Sequence, residues 1–330
     1  VIEMPVIYAC AGAEKFAYAG VKLLDSLNLP GKIIFGSECG DVDSLYKIAD
    51  FLVSDGYSEL VKNEIVCTKG SYASVREKII EEQMGSKYAS IAKESNNILG
   101  IEYIKALIRT GSHLFFDTIS RKGAGHDKNA LKGEFHSASE IRDIIHNNEK
   151  LNSILPENTI RKIEELKLES RFPADYKKLE TAVLYALRMM GPQDFKMMPD
   201  ISEGIENRLY KSVKQARSID GLYTMTKSKR YSMARIRRIV LNAFLGITKD
   251  HQFEEPPYIR ILGMSEQGER LIKNSKPDIP FAVRTADFSK MPQSAQVLFD
   301  LECRADDIYT LSMPKAGACS ENMQHKIVKI

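Results

Sequence analysis

The chain has 330 residues, of which 43% are hydrophobic and 28% charged, and it contains no Trp. That length suits two or three domains, the apolar fraction fills a real core, and the composition excludes disordered, collagen-like and disulfide-scaffold classes. Lys plus Arg number 47 against 44 Asp plus Glu, a net charge of +3, so any nucleic-acid surface must be local.

The chain opens at Val1, without an initiator Met, inside the apolar segment VIEMPVIYAC. This is the pattern of a chain entered in mid-strand, and the expectation is a fragment whose upstream part is missing. The apolar run Lys32-Ile33-Ile34-Phe35 ends at Gly36-Ser37 and reads as a strand. A helix over residues 41–53 follows, with Leu45, Ile48, Ala49 and Leu52 on one buried face. Asn96 or Asn97 is placed to cap a helix that runs through Ile101, Ile104 and Leu107 to Gly111, a good stop. His113-Leu114-Phe115-Phe116 is strand-like, and the next helix opens near Ser137. Strands alternating with helices imply a parallel sheet covered on both faces.

From about Leu151 the texture changes, with long helical patterns over 158–169, 177–190, 205–216 and 231–245 and no strand run between them. The methionines at 189, 190, 197 and 198 read as core filler. After Pro256-Pro257 a shorter mixed region carries a strand candidate over 258–263 and a helix from Ser265. The organisation expected is an α/β domain over 1–150, an α-helical domain over 151–255 and a small α/β region over 256–330. Five scattered cysteines without a C-x-x-C pair imply a reducing compartment. No apolar run reaches the length of a membrane span, so the expectation is a cytoplasmic protein with no membrane partner.

In a parallel sheet, ligands bind beyond the carboxyl ends of the strands, where loops feed helix N-termini. Four segments fall there. In the loop over 35–41, Gly36 lets a backbone approach a base or ribose, although an ordinary strand-to-helix turn explains it equally well. In Ser95-Asn96-Asn97 an amide suits nucleotide recognition, and N-capping is the commoner role. Arg121-Lys122 before Gly123-Ala124-Gly125-His126 suits a phosphate chain, with a solvated loop as the alternative. Ser137 and Glu140 have capping-box spacing, while Ser139 and Arg142 beside them suit an anion.

The helical region carries the signal for a nucleic-acid partner, the alternative being a solvated helix pair with acidic partners within the chain. Ten cations stand between Arg208 and Arg238 (among them Lys211, Lys214, Arg217, Lys227, Lys229, Arg230, Arg235 and Arg237) against the single acid Asp220. Tyr223 and Tyr231 are candidates to stack on unpaired bases. Arg235, Arg237 and Arg238 cannot share one face of a helix, so at least one serves packing or an ion pair.

The stretches VIEMP, FGSECGD, SNNILGIEYIKAL, RKGAGHD, SASEIR, TKSKRYSMARIRRI and PPYIRILGM resemble those of the bacterial tRNA(Met) cytidine acetate ligases. The resemblance implies a Rossmann-like domain of the HIGH-superfamily nucleotidylyltransferases, then an α-helical tRNA-binding domain and a small mixed C-terminal region. It implies activation of acetate by ATP, with Mg²⁺ expected, to acetyl-adenylate, and transfer of the acetyl group to N4 of the wobble cytidine of elongator tRNA(Met). Gly36, Asn96, Arg121 and Lys122 match ATP-contacting positions, and Ser139 and Arg142 match a phosphate motif. The RNA-binding positions expected are Lys211, Lys214, Lys227, Lys229, Arg230, Arg235 and Arg238.

The family's Asn-Pro-Phe-His-x-Gly-His loop would precede Val1 and occurs nowhere in these residues, nor does the Tyr usual before His126. On that basis the chain by itself is expected to bind ATP poorly and to catalyse little, with no catalytic residue identified. The alternatives are a small-molecule nucleotidylyltransferase, which needs no basic helical domain, and a catalytically inactive tRNA-binding protein.

Overall fold

The computed structural model describes residues 1–67, 72–121, 136–151, 154–324 and 326–329, with the backbone alone at 65–67, 73 and 322. A single turn, α1 (Val6–Ala9), leads into α2 (Ala13–Asp25), which buries Ala17, Ala19, Val21 and Leu23. β1 (Lys32–Ser37) follows, then α3 (Val42–Val53), which starts at Asp41 because that carboxylate accepts the Ser44 N–H at 3.1 Å. Leu45, Ile48, Ala49 and Leu52 are buried as their spacing requires. Three helices absent from the sequence reading come next: α4 (Asp55–Cys67), α5 (Tyr72–Met84) and α6 (Ser86–Ile91). α7 (Ser95–Thr110) then ends at Gly111, whose φ of 62° is the left-handed stop its sequence calls for. β2 (Phe115–Ser120) begins two residues later than the strand-like run.

β1 and β2 pair in parallel, from Lys32 opposite Phe115 to Ser37 opposite Ser120. α3 and α7 pack on one face through Leu45, Ile48, Ile101 and Ile104, with Phe35 and Phe116 seated among them. Gly100 permits this approach: a Cβ there would stand 2.5 Å from the Phe35 ring. The other face corrects an expectation. Side chains alternate across a strand, and the opposite face presents Ile34, Phe115 and Ile119, each more than half exposed among the described residues. Among the described residues the sheet is therefore covered on one face.

α8 (Ala138–His146) begins with the expected Ser137–Glu140 capping box and buries no side chain. The helical region comprises α9 (Glu157–Leu168), α10 (Glu180–Met189), α11 (Pro192–Lys196), α12 (Ile205–Gln215), α13 (Ile219–Thr226) and α14 (Met233–Leu245). Its core gathers Val183, Leu187, Phe195, Leu209, Leu222 and Ile236. Met198 is buried and Met190 packs on this core, but Met189 and Met197 are exposed, so half of the methionine group is not filler.

The C-terminal region holds β3 (Ile259–Arg260), β4 (Gly263–Met264), α15 (Glu266–Asn274), β5 (Phe281–Ala282), α16 (Thr285–Phe288), α17 (Gln293–Thr310) and β6 (Val328–Lys329). The strand expected over 258–263 is split: β3 pairs with β5 and β4 with β6, both in parallel. The first residues are bound into this region. Ile2 bridges Ile261, Glu3 pairs with Arg260 at 3.1 Å, and the Val6 N–H donates to Glu302 of α17.

Candidate functional site

α7 runs back to the start of the strand that follows, so it opens at the carboxyl edge of the sheet. Three of the expected nucleotide-binding residues meet there. The Arg121 N–H extends the ladder by donating to Ser37 O at 2.9 Å, which carries its side chain back over β1. Gly36 makes room for it, since a Cβ there would lie 3.3 Å from Arg121 Cγ. The exposed guanidinium donates through Nη1 to Asn96 Oδ1 at 2.9 Å. Gly36, Asn96 and Arg121, far apart in sequence, thus form one contiguous group.

Two residues that sequence reasoning missed organise this group. Glu38 accepts from the Asn96 N–H at 3.1 Å and the Asn96 Nδ2 at 2.6 Å with one carboxylate oxygen. Its other oxygen accepts from the Asn97 N–H at 2.8 Å. Burial opposes this charge, but the bonds from the Asn96 side chain and from both backbone N–H groups outweigh it and hold the Glu38 carboxyl below its ordinary range. Asn97, 1% exposed, returns the contact: its Oδ1 accepts from the Glu38 and Cys39 N–H groups at 2.9 and 3.2 Å. The N-cap position belongs to Glu94, which makes no cap bond, so neither asparagine caps α7 with its own side chain. A carboxylate from the loop that follows β1 does that work, which corrects the capping expectation. The signal available in sequence was the acid two residues beyond Gly36, at the end of a strand.

Lys122 and the Gly-x-Gly-His loop lie outside the described residues. Ser139 and Arg142 are joined, with Arg142 Nη2 donating to Ser139 Oγ at 3.2 Å, and both are exposed. Among the described residues no hydrogen bond or ion pair links this pair to Asn96 or Arg121. No group of three His, Cys, Asp or Glu side chains among the described residues is arranged to hold a metal ion. Nor is any helix among them long and apolar enough to cross a membrane.

The basic segment divides into committed and open cations. Arg208 donates to the carbonyl oxygens of Met225, Thr226 and Lys227 at 2.7–3.1 Å and so closes the C-terminus of α13. Arg235 is spent on the turn before α12, bonding Asp200 O, Ser202 Oγ and Glu203 Oε2. Arg238 pairs with Asp200 at 2.8 Å, and Arg237 lies over the Tyr223 ring. Lys214 reaches Arg188 O and the Tyr210 ring. Lys211, Arg217, Lys227, Lys229 and Arg230 are exposed, and none has an ion-pair partner among the described residues. Tyr223 and Tyr231 are 7% exposed, the latter donating its hydroxyl to Glu203 O at 2.6 Å. Both are core residues, which corrects their expected role as stacking platforms.

The family model of HIGH nucleotidyl transferases matches residues 1–325. The tRNA(Met) cytidine acetate ligase of Caldanaerobacter subterraneus subsp. tengcongensis is 36% identical over 340 residues, an alignment covering all of this chain and 84% of that one. That of Clostridium perfringens (strain ATCC 13124) is 31% identical, with 99% and 83% covered. Among solved structures, Thermotoga maritima TmcAL bound with alpha-thio ATP superposes with a TM-score of 0.89 at 25% identity, covering 100% of this chain and 84% of that one. The chain belongs to the HIGH nucleotidyl transferase family, in the group of tRNA(Met) cytidine acetate ligases.

Proposed function

We propose that the chain carries the activity its relatives are named for, ATP-dependent acetylation of a cytidine in tRNA(Met), with acetate as the acyl source. A single observation supports this most: Gly36, Asn96 and Arg121 meet at the carboxyl edge of a parallel sheet, in a chain whose structural neighbour binds an ATP analogue. In the first step an acetate oxygen attacks the α-phosphorus of ATP and pyrophosphate leaves, giving the mixed anhydride acetyl-adenylate. In the second step N4 of the wobble cytidine of elongator tRNA(Met) attacks the acetyl carbonyl carbon. The bond to AMP breaks and N4 gives up a proton.

Neither step needs a protein nucleophile. The protein's part is to align the reactants and to offset charge on the phosphoryl oxygens. We assign that to Arg121, Lys122, Ser139 and Arg142, and the adenosine end to Gly36 and Asn96. Mg²⁺ accompanies ATP on its own phosphates in this reading. The RNA lies along Lys211, Lys214, Lys227, Lys229 and Arg230, with its target base drawn from the stack, and Arg235 and Arg238 shape the turn beneath. The reaction takes place in the cytoplasm.

The test is acetate-dependent ATP–pyrophosphate exchange and acetyl transfer to tRNA(Met) by the full-length protein. Arg121→Ala is expected to abolish exchange and leave tRNA affinity nearly unchanged, and the double change Lys229→Glu, Arg230→Glu to do the reverse. Both variants altering only the unfolding midpoint would overturn these assignments.

A further inference from the structure

We propose that Glu38 is a positioning residue of the nucleotide site, acting through Asn96 to place Arg121; this rests on the reading that Arg121 meets ATP. An ionised carboxylate only accepts hydrogen bonds and a guanidinium only donates them, so the amide between them has one satisfactory orientation. Asn96 turns its Nδ2 to Glu38 at 2.6 Å and its Oδ1 to Arg121 at 2.9 Å. The Asn96 backbone is held by the same Glu38 oxygen, and Asn97 Oδ1 fixes the Glu38 N–H in return. The relay is therefore anchored at both ends of Glu38. Among the described residues Arg121 has no other side-chain partner, and an exposed side chain on the last rung of the ladder has many rotamers open to it. Gly36 and the amide oxygen together confine it.

A second consequence concerns the phosphates. The N-terminus of α7, a natural anion site, is already filled by the Glu38 carboxylate, which takes the N–H groups of Asn96 and Asn97. A nucleotide at this edge meets the outward face of the relay, the Arg121 guanidinium, and not the helix N–H groups.

The test is a double-mutant cycle on ATP affinity in the full-length protein, with Glu38→Gln, Arg121→Met and both changes together. Loss of one charge-assisted contact predicts ATP binding about tenfold weaker in Glu38→Gln. In the Arg121→Met background the same change is expected to cost less than about twofold, because the group it positions is gone. Equal effects in both backgrounds overturn the proposal. Gly36→Ala keeps the Glu38 cap intact while crowding the Arg121 stem and the adenosine end assigned to Gly36, so it is expected to weaken ATP binding with no loss of α7 stability, whereas Glu38→Gln is expected to lower both. Crystal structures of wild type and Glu38→Gln without nucleotide give a readout independent of ATP. Arg121 is expected on Asn96 in the first and away from it in the second. If it stays on Asn96 in both, the positioning role is wrong. If it moves while wild type binds no ATP, the positioning stands and the nucleotide reading falls.

Discussion

Glu302 couples stability to pH. It lies 7% exposed on α17, where burial drives its carboxyl up to about 8 despite the N–H bond from Val6. Glu3 and Asp306 push in the same direction and Arg260 opposes them. The folded chain thus binds this proton more tightly than the unfolded one. The stability it supplies is complete below the ordinary value of 4.5 and is lost as pH rises through about 8. At about 1.4 kcal/mol per pH unit, the loss between pH 5 and 8 is on the order of 3 kcal/mol. The Cys10 and Cys303 thiols, raised by burial to about 11, stay neutral throughout. Glu302→Gln keeps an oxygen for the Val6 N–H and removes the titration. Urea midpoints followed by circular dichroism should fall from pH 5 to pH 8 in wild type, and the variant should lose that fall, becoming the more stable protein at pH 8. A variant that keeps the wild-type slope would refute the assignment of the proton to Glu302.

Three further changes probe the scaffold of the site. Gly100→Ala places a Cβ 2.5 Å from the Phe35 ring and should cost about 1–3 kcal/mol in urea unfolding, with a matching displacement of β1 from α7 in a crystal structure. Asn97→Ala strips the part-buried Glu38 and Cys39 N–H groups of their partner, and a loss of about 1–3 kcal/mol is expected, together with fast amide exchange at 38 and 39. Arg208→Ala should lower the unfolding midpoint by opening the end of α13, and leave both tRNA affinity and its salt slope unchanged, since that guanidinium faces carbonyl oxygens.

What the sequence revealed, and what it hid, follows from the range of each signal. Local signals held: the Leu45–Leu52 face, the Ser137–Glu140 box and the Gly111 stop each depend on residues within two turns of one another. The Glu38 cap escaped because its donors lie 58 and 59 residues away, and no pattern within a helix announces a capping group supplied by a distant loop. The sheet face carrying Ile34, Phe115 and Ile119 escaped for a related reason, since an apolar strand reads as buried on both sides whatever lies against it.

Charge counting along the sequence was incomplete for a physical reason. Ten cations to one acid described the window between Arg208 and Arg238, but Asp200 and Glu203 stand just outside it and fold back onto α14. Glu180, farther off, accepts the Ile219 N–H that opens α13. Counter-charge in a helical domain arrives from neighbouring turns, so a linear window overstates the free cation on a helix packed against them. Removing the guanidinium groups already engaged leaves the exposed cations at 211, 214, 217, 227, 229 and 230 as the open positive surface. The proposed RNA contact therefore belongs to the connection between α13 and α14 and the outer side of α12, not to α14 itself, where the densest run of arginines stands.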